Sequence, residues 1–125
     1  MMDTSLDGYP EQLEEEYRPL FDILVSQGFS CFLEYYAPEG MGGFIVECRS
    51  SRGNIRVSND KGQIFVEFET PAGEWREMEE LLKEKGLQFS RYPSVCGIWT
   101  GYELQNRVLD LRQYLPELIQ FAKSK

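Results

Sequence analysis

The sequence predicts an α+β domain, in which a four-stranded antiparallel meander carries an N-terminal helix and two C-terminal helices packed on one face. Apolar and polar residues alternate with a period of two from residue 29 to residue 69, and short turn clusters interrupt them. A helical period precedes this region and returns after it. The length of 125 residues fits a single domain, with residues 1–9 as a loose N-terminal arm.

The N-terminal helix is expected to begin at Pro10, because proline is favourable in the first turn of a helix. Gly28 is expected to end it in a left-handed conformation. Pro19 interrupts the pattern, and its missing amide should kink the helix or restart it there. Apolar residues follow at helical spacing: Leu13, Tyr17, Leu20, Phe21, Leu24 and Val25.

Four segments alternate as half-buried strands do. The first, "FSCFLEYY", is predicted to place Phe29, Cys31, Leu33 and Tyr35 on one face. The turn clusters "SSRG" and "NDKG" separate the later segments. The inward positions predicted for those segments are Phe44, Val46, Cys48, Ile55, Val57, Ile64, Val66 and Phe68.

The glycine-rich segment "APEGMGG", residues 37–43, joins the first two strands. A phosphate-binding loop runs from a strand into a helix, whose N-terminus or a nearby lysine completes the site. Here a strand follows and no lysine lies nearby, so we expect a wide hairpin bend.

The C-terminal part returns to a helical period. "EWREMEELLKEKG" places Trp75, Met78, Leu81 and Leu82 on one helix face, and Gly86 ends that helix. Residues 87–99 show no clear period, and a loop of that length usually carries function or a short strand. Residues 100–103, "TGYE", form a capping box before the last helix, whose apolar stripe runs to residue 122. Pro116 within this stripe predicts a kink or break.

The charge of the chain bounds its partners. The formal net charge is -8 and the sequence pI is about 4.6, which disfavours nucleic acid because phosphate binding needs cationic side chains. Residues 1–16 carry six carboxylates and no Lys or Arg. The apolar runs are too short to cross a membrane, and no signal-peptide pattern begins the chain. We therefore expect a cytoplasmic location and a basic protein as the partner.

The three cysteines, Cys31, Cys48 and Cys96, match neither a disulfide framework nor a zinc site. Cys31 and Cys48 lie among alternating apolar residues, where a reduced cysteine behaves as a small buried hydrophobe. The chain has no histidine. We predict no bound metal, no cofactor and no structural disulfide.

The same composition predicts that the protein is not an enzyme. Without histidine, Ser–His and Cys–His nucleophile pairs are excluded. Cys96 near Arg91 is a candidate nucleophile, and Glu47 with Glu67 is a candidate carboxylate pair. An ordinary loop cysteine and a solvent-exposed strand face explain these residues as well.

Aromatic residues in or beside loops and one acidic helix start form the predicted partner-binding set. Aromatic side chains with a polar tip are typical interface anchors. The alternative is that the aromatics cap the edge of the core and the acids cover a solvated helix face. The predicted set is Tyr35, Tyr36, Glu77, Glu79, Glu80, Tyr92 and Trp99.

The segments "LVSQGF", "NIRVSNDKGQIFVEF" and "GEW" resemble small bacterial hypothetical proteins, several of which resemble immunity proteins of polymorphic toxin systems. In that pattern a helix ends at Gly-Phe, strands lead to an Asp-x-Gly-Gln hairpin, and a tryptophan opens the next helix. The resemblance covers roughly residues 20–82 and implies a role in protein binding with no catalytic residue. The matching residues are Gly28, Phe29, Asp60, Gly62, Gln63 and Trp75.

Two functional hypotheses follow. The first is an immunity-type inhibitor that covers a basic bacterial toxin, which predicts a compact monomer. The second is an acidic secretion-type chaperone or adaptor, which predicts a homodimer with exposed apolar grooves.

Overall fold

The computed structural model describes residues 13, 15–37, 43–60, 63–87 and 100–125, with the backbone alone for residues 100–103. An α+β fold with an antiparallel sheet and three α-helices is confirmed. A 3-10 turn, Glu15–Tyr17, precedes the first α-helix. The elements in chain order are α1 (Arg18–Ser26), β1 (Ser30–Ala37), β2 (Gly43–Ser50), β3 (Gly53–Asp60), β4 (Gln63–Glu69), β5 (Trp75–Glu77), α2 (Met78–Lys85) and α3 (Thr100–Lys123).

The first α-helix begins later than predicted from Pro10. Helix α1 starts at Arg18 and carries Pro19 in its first turn, where the missing amide would have no intrahelical partner. The predicted restart at Pro19 is therefore observed. Gly28 has φ +93° and follows the end of α1, as predicted. Its amide donates to the Val25 carbonyl at 3.0 Å, which satisfies one of the last carbonyls of the helix.

The five strands pair antiparallel in the order β1-β2-β3-β4-β5. The predicted burial of Val46, Val57, Val66 and Phe68 is confirmed, since each is at most 2% exposed. Side chains of directly paired residues point to the same face of a sheet, so the inward positions form continuous rows. One such row joins Leu33, Val46, Val57 and Val66 across four strands.

The prediction of four strands and of a helix containing Trp75 is wrong, because residues 75–77 form the fifth strand β5. A turn before β5 causes this difference. The Thr70 amide donates to the Glu74 carbonyl at 2.8 Å, and the Gly73 amide donates to Thr70 at 2.8 Å. The chain thereby reverses, and Trp75 pairs with Glu69 of β4. Helix α2 begins only at Met78 and ends at Gly86, with φ +75°, as predicted.

The prediction that Tyr35 shares the inward face of Cys31 is also wrong. The pairing of β1 with β2 shifts between Leu33 and Tyr35, which is a β-bulge at Glu34. An extra residue in one strand reverses the alternation beyond it. Tyr35 is therefore 55% exposed, whereas Tyr36 packs against the core.

The helices and the inward rows of the sheet form one apolar core. Helix α3 contacts β4, α1 and α2, and Leu111 and Leu118 are fully buried along it. Of the kink or break predicted at Pro116, the break is absent, because α3 continues through it to Lys123. The kink stays a prediction. Proline removes one intrahelical hydrogen bond, and packing on both sides of Pro116 keeps the helix continuous.

Four predictions concern residues outside the described part of the chain. These are the loose arm at 1–9, the hairpin bend at 38–42, the loop at 88–99 with Cys96, and the capping-box side chains at 100–103. The strands on both sides of the hairpin bend do pair directly, from Ala37 opposite Gly43 to Ser30 opposite Arg49.

Candidate partner-binding surface

The side of the sheet that faces away from the core is named the open face. Its side chains keep partial or full solvent exposure, whereas the alternate positions on β2, β3 and β4 are buried. The open face consists of Phe32, Glu34, Tyr35, Ile45, Glu47, Arg49, Asn54, Arg56, Ser58, Phe65, Glu67, Glu69 and Trp75.

Two aromatic side chains project from the β1 edge of the open face. Phe32 is 43% exposed and Tyr35 is 55% exposed. Tyr35 lies opposite Ile45, and the same row continues through Ser58 to Phe65. Large apolar groups grouped on a surface mark interaction sites more often than scattered ones do. The bulge at Glu34 creates this feature, because it turns Tyr35 outward.

A ladder of charges crosses the middle of the open face. Glu47 lies opposite Arg56, and Arg56 lies opposite Glu67. The Arg56 Nε lies 3.4 Å from the Glu67 carboxylate. Arg49 lies 3.6 Å from Glu47 and 3.8 Å from Glu34. Arg56 therefore lies between Glu47 and Glu67 in the row that crosses β2, β3 and β4.

The arginines of the open face also lie over its aromatic rings. The guanidinium carbon of Arg56 is 4.2 Å from the Trp75 ring centroid, and that of Arg49 is 5.3 Å from the Phe32 ring. Asn54 donates to the Glu69 carboxylate at 2.9 Å. These contacts hold the long side chains in fixed positions, which lowers the entropic cost of binding a partner.

The glutamates predicted to bind a partner have partners within the chain. The Glu77 carboxylate accepts a hydrogen bond from the Glu79 amide at 2.9 Å and caps α2. Glu79 lies 3.3 Å from the Arg107 guanidinium of α3, and Glu80 lies 3.4 Å from Arg76. We name this group, with Arg76 and Arg107, the acidic corner. Its role in partner binding stays a prediction.

Burial and charge act in opposite directions on Glu77. Burial raises the pKa of its carboxyl group, whereas the Arg107 charge lowers it, and the net shift is upward. Glu84 of α2 lies at the surface, where a hydrogen bond from Lys125 lowers the pKa of its carboxyl group and the charge of Arg76 lowers that pKa further. Each carboxylate of the acidic corner therefore lies near an arginine of the same chain.

The structure does not bring the predicted binding residues together. Tyr35 and Tyr36 lie on β1 and Glu77 lies on β5, at opposite edges of the sheet. Four strand spacings separate these edges, which is about 19 Å. Tyr92 and Trp99 lie outside the described residues. Phe32, which is not in the predicted set, is a better candidate for a partner contact than Tyr36. Its outward position follows from the alternation of residues around Cys31.

A second apolar feature lies between the 3-10 turn and α3. It is a groove of about 510 Å³, and Leu109 on its wall is 51% exposed. Glu16 and Arg112 contribute charged side chains to its lining. Lining residues include Glu16, Pro19, Leu104, Val108, Leu109 and Arg112.

The described residues contain neither a cluster suited to a metal ion nor a helix suited to a membrane. No group of three or more His, Cys, Asp or Glu side chains there is placed to hold a metal ion. Within the same ranges, no helix has the length and apolar character needed to cross a membrane. Comparisons with family models, curated proteins and solved structures found no match to this chain.

Proposed function

We propose that this protein is a non-enzymatic binding domain whose open face covers a basic protein. In its most specific form it is an immunity-type inhibitor of a basic bacterial toxin. The observation that carries the proposal is the pair of exposed aromatic rings, Phe32 and Tyr35, on a pre-organised acidic sheet face. Aromatic anchors surrounded by ordered polar groups are typical of interface centres.

The size of the open face suits a protein partner. The sheet is about 19 Å wide across its five strands. Along β2, every second side chain lies on the open face, so successive rows of these side chains are about 7 Å apart. With side chains included, the area of the open face is of the same order as the roughly 800 Å² that each partner contributes to a standard interface. The face is a sheet surface, and a flat surface of this kind fits another protein better than a small molecule.

The charge balance supports a basic partner. On β1 to β4 the open face carries the carboxylates of Glu34, Glu47, Glu67 and Glu69 against two arginines, and the whole chain has a net charge of -8. Both arginines of the open face already contact carboxylates of the same face. A cationic partner would therefore meet the carboxylate oxygens that these arginines leave uncovered. Such complementarity accelerates encounter and selects the partner.

The experiment is a comparison of two exposed apolar residues. The partner is first captured from a lysate of the source organism with the immobilised full-length chain, and then purified. Tyr35→Ala is expected to weaken its affinity by about 2 kcal/mol, roughly 30-fold, by calorimetry. The matched control is Leu109→Ala, which removes an equally exposed side chain of α3 and should leave affinity unchanged. Loss of affinity in the control alone contradicts the proposal.

The groove beside Leu109 favours a second candidate function, that of a homodimeric acidic chaperone or adaptor. In a two-fold contact through this groove, Glu16 of each copy could face Arg112 of the other, since an isologous interface pairs the two surfaces reciprocally. Light scattering separates the two functions. A monomer at all concentrations supports the inhibitor, whereas a dimer that Leu109→Lys dissociates supports the chaperone.

A further inference from the structure

Two cysteines face each other across the first hairpin. Cys31 of β1 is the direct register partner of Cys48 of β2. Both are free thiols, and both belong to the buried core. Because directly paired residues point to the same side of a sheet, both side chains lie on the inward side of the hairpin. The proposed function uses neither group.

We propose that Cys31 and Cys48 are a disulfide-forming dithiol, which a low-molecular-weight disulfide converts into a cross-strand bond between β1 and β2. Directly opposed residues in an antiparallel pair have Cα atoms about 4.5–5.5 Å apart. Disulfides join residues whose Cα atoms are about 4.4–6.8 Å apart. The register of the hairpin therefore places the two Cα atoms in the range that a disulfide spans, without a change of fold.

The chemistry is a pair of thiol–disulfide exchanges. The Cys31 thiolate attacks one sulfur of the small disulfide, forms a mixed disulfide and releases one small thiol. The Cys48 thiolate then attacks the Cys31 sulfur and releases the second small thiol. The protein is oxidised by two electrons and loses two hydrogen atoms, and the small disulfide is reduced to two thiols.

Position determines the order of these steps. Cys31 lies on β1, an edge strand of the described sheet, and is 5% exposed, whereas Cys48 on β2 is fully buried. Burial raises the pKa of the Cys48 thiol, and the neighbouring Cys31 thiol raises it further. Attack is therefore expected to begin at Cys31 when the edge strand opens, with Cys48 as the resolving thiol.

The bond would have a structural consequence for the hairpin that carries Phe32 and Tyr35. It would close the chain between β1 and β2, which restricts the unfolded ensemble and holds the edge strand to its neighbour. We expect the oxidised protein to melt several degrees above the reduced protein. Reduction should reverse that shift.

The test uses the full chain in redox buffers of increasing oxidised-to-reduced glutathione ratio, followed by alkylation, trypsin digestion and mass spectrometry. No Lys or Arg lies between residues 19 and 48, so trypsin leaves Cys31 and Cys48 on one peptide, and Cys96 on another. The expected product is a peptide that is lighter by two hydrogen atoms and takes no alkyl group. A bond to Cys96 would instead join two peptides.

Two matched variants make the result decisive. Cys96→Ala should form the same bond, and Cys48→Ala should stop at the glutathione adduct of Cys31 and show no rise in melting temperature. The proposal is overturned if the native chain keeps both thiols alkylatable at the most oxidising ratio, or if the bond forms only in denaturant. It is equally overturned if Cys96 is one of the bonded residues.

Discussion

The open face and the acidic corner differ in what their side chains already contact. On the open face, Tyr35 is 55% exposed at the edge of the sheet. In the acidic corner, Glu77 caps α2, and Glu79 lies 3.3 Å from Arg107, which is only 3% exposed. Both regions look like binding surfaces in the sequence. A carboxylate that is engaged within its own fold is therefore a weaker candidate for a partner contact than an exposed aromatic ring.

The largest expected effect tests the division of the sheet into a buried and an open side. Val66→Asp places a charge at a position with no solvent exposure and should destabilise the fold by about 4 kcal/mol. The control is Phe65→Asp, one residue away on the open face, which should cost far less because the carboxylate stays hydrated. Urea unfolding of both variants measures the difference. Equal losses would mean that the two sides are not distinct.

The next effect tests whether the acidic corner is structural. Arg107→Gln removes a buried cation beside Glu77 and Glu79 and should destabilise the fold by about 2 kcal/mol, because a partly buried carboxylate loses its compensation. Arg76→Gln is the matched control, since Arg76 contacts Glu80 and Glu84 at the surface. It should change stability by less than about 1 kcal/mol. A larger loss for Arg76→Gln would reverse the assigned roles.

A smaller effect concerns the association rate with the basic partner. Neutralising Glu34 and Glu69 on the open face with glutamine should slow association several-fold at low salt and flatten its salt dependence. The same change at Glu79 and Glu80 should have less effect, because the acidic corner lies at the opposite edge of the sheet from Phe32 and Tyr35. Stopped-flow measurements at several ionic strengths compare the two double variants. A stronger response at the acidic corner would move the binding surface there.

The smallest effect is a pH dependence. The pKa of Glu77 is raised in the folded protein above its ordinary value of 4.5, so the folded state holds that proton more tightly than the unfolded chain. The stability that this proton contributes is present at low pH and is lost as the pH rises through the raised pKa. Glu77→Gln keeps the capping oxygen and removes the titration. The free energy of unfolding of this variant, relative to that of the native chain, should therefore increase as the pH rises above about 4.5, by less than about 1 kcal/mol.

Much of the fold could be predicted from the sequence because its patterns are local. The alternation of apolar and polar residues predicted the inward rows that contain Val57 and Val66. A glycine after each of the first two helices predicted where that helix ends. The fifth strand was missed because Trp75 falls at helical spacing with Met78. The hydrogen bonds of Thr70, which reverse the chain, leave no periodic signal.

The candidate site was harder to predict than the fold. A bulge changes the facing of every later residue in its strand, and nothing in "FLEYY" marks Glu34 as the inserted position. Tyr35 and Tyr36 therefore exchanged their faces in the prediction. The contact between Arg107 and Glu79 joins residues 28 positions apart, and only the folded structure brings them together. The exposure of Tyr35 and the contact between Arg107 and Glu79 therefore became visible only in the structure.

Hydroxyl-radical footprinting of the purified complex shows whether the basic partner covers the open face. We predict that Phe32 and Tyr35 lose reactivity on binding, while Leu109 and Phe121, which lie on α3, keep theirs. Protection of Leu109 or Phe121 with unchanged reactivity at Phe32 and Tyr35 would contradict it.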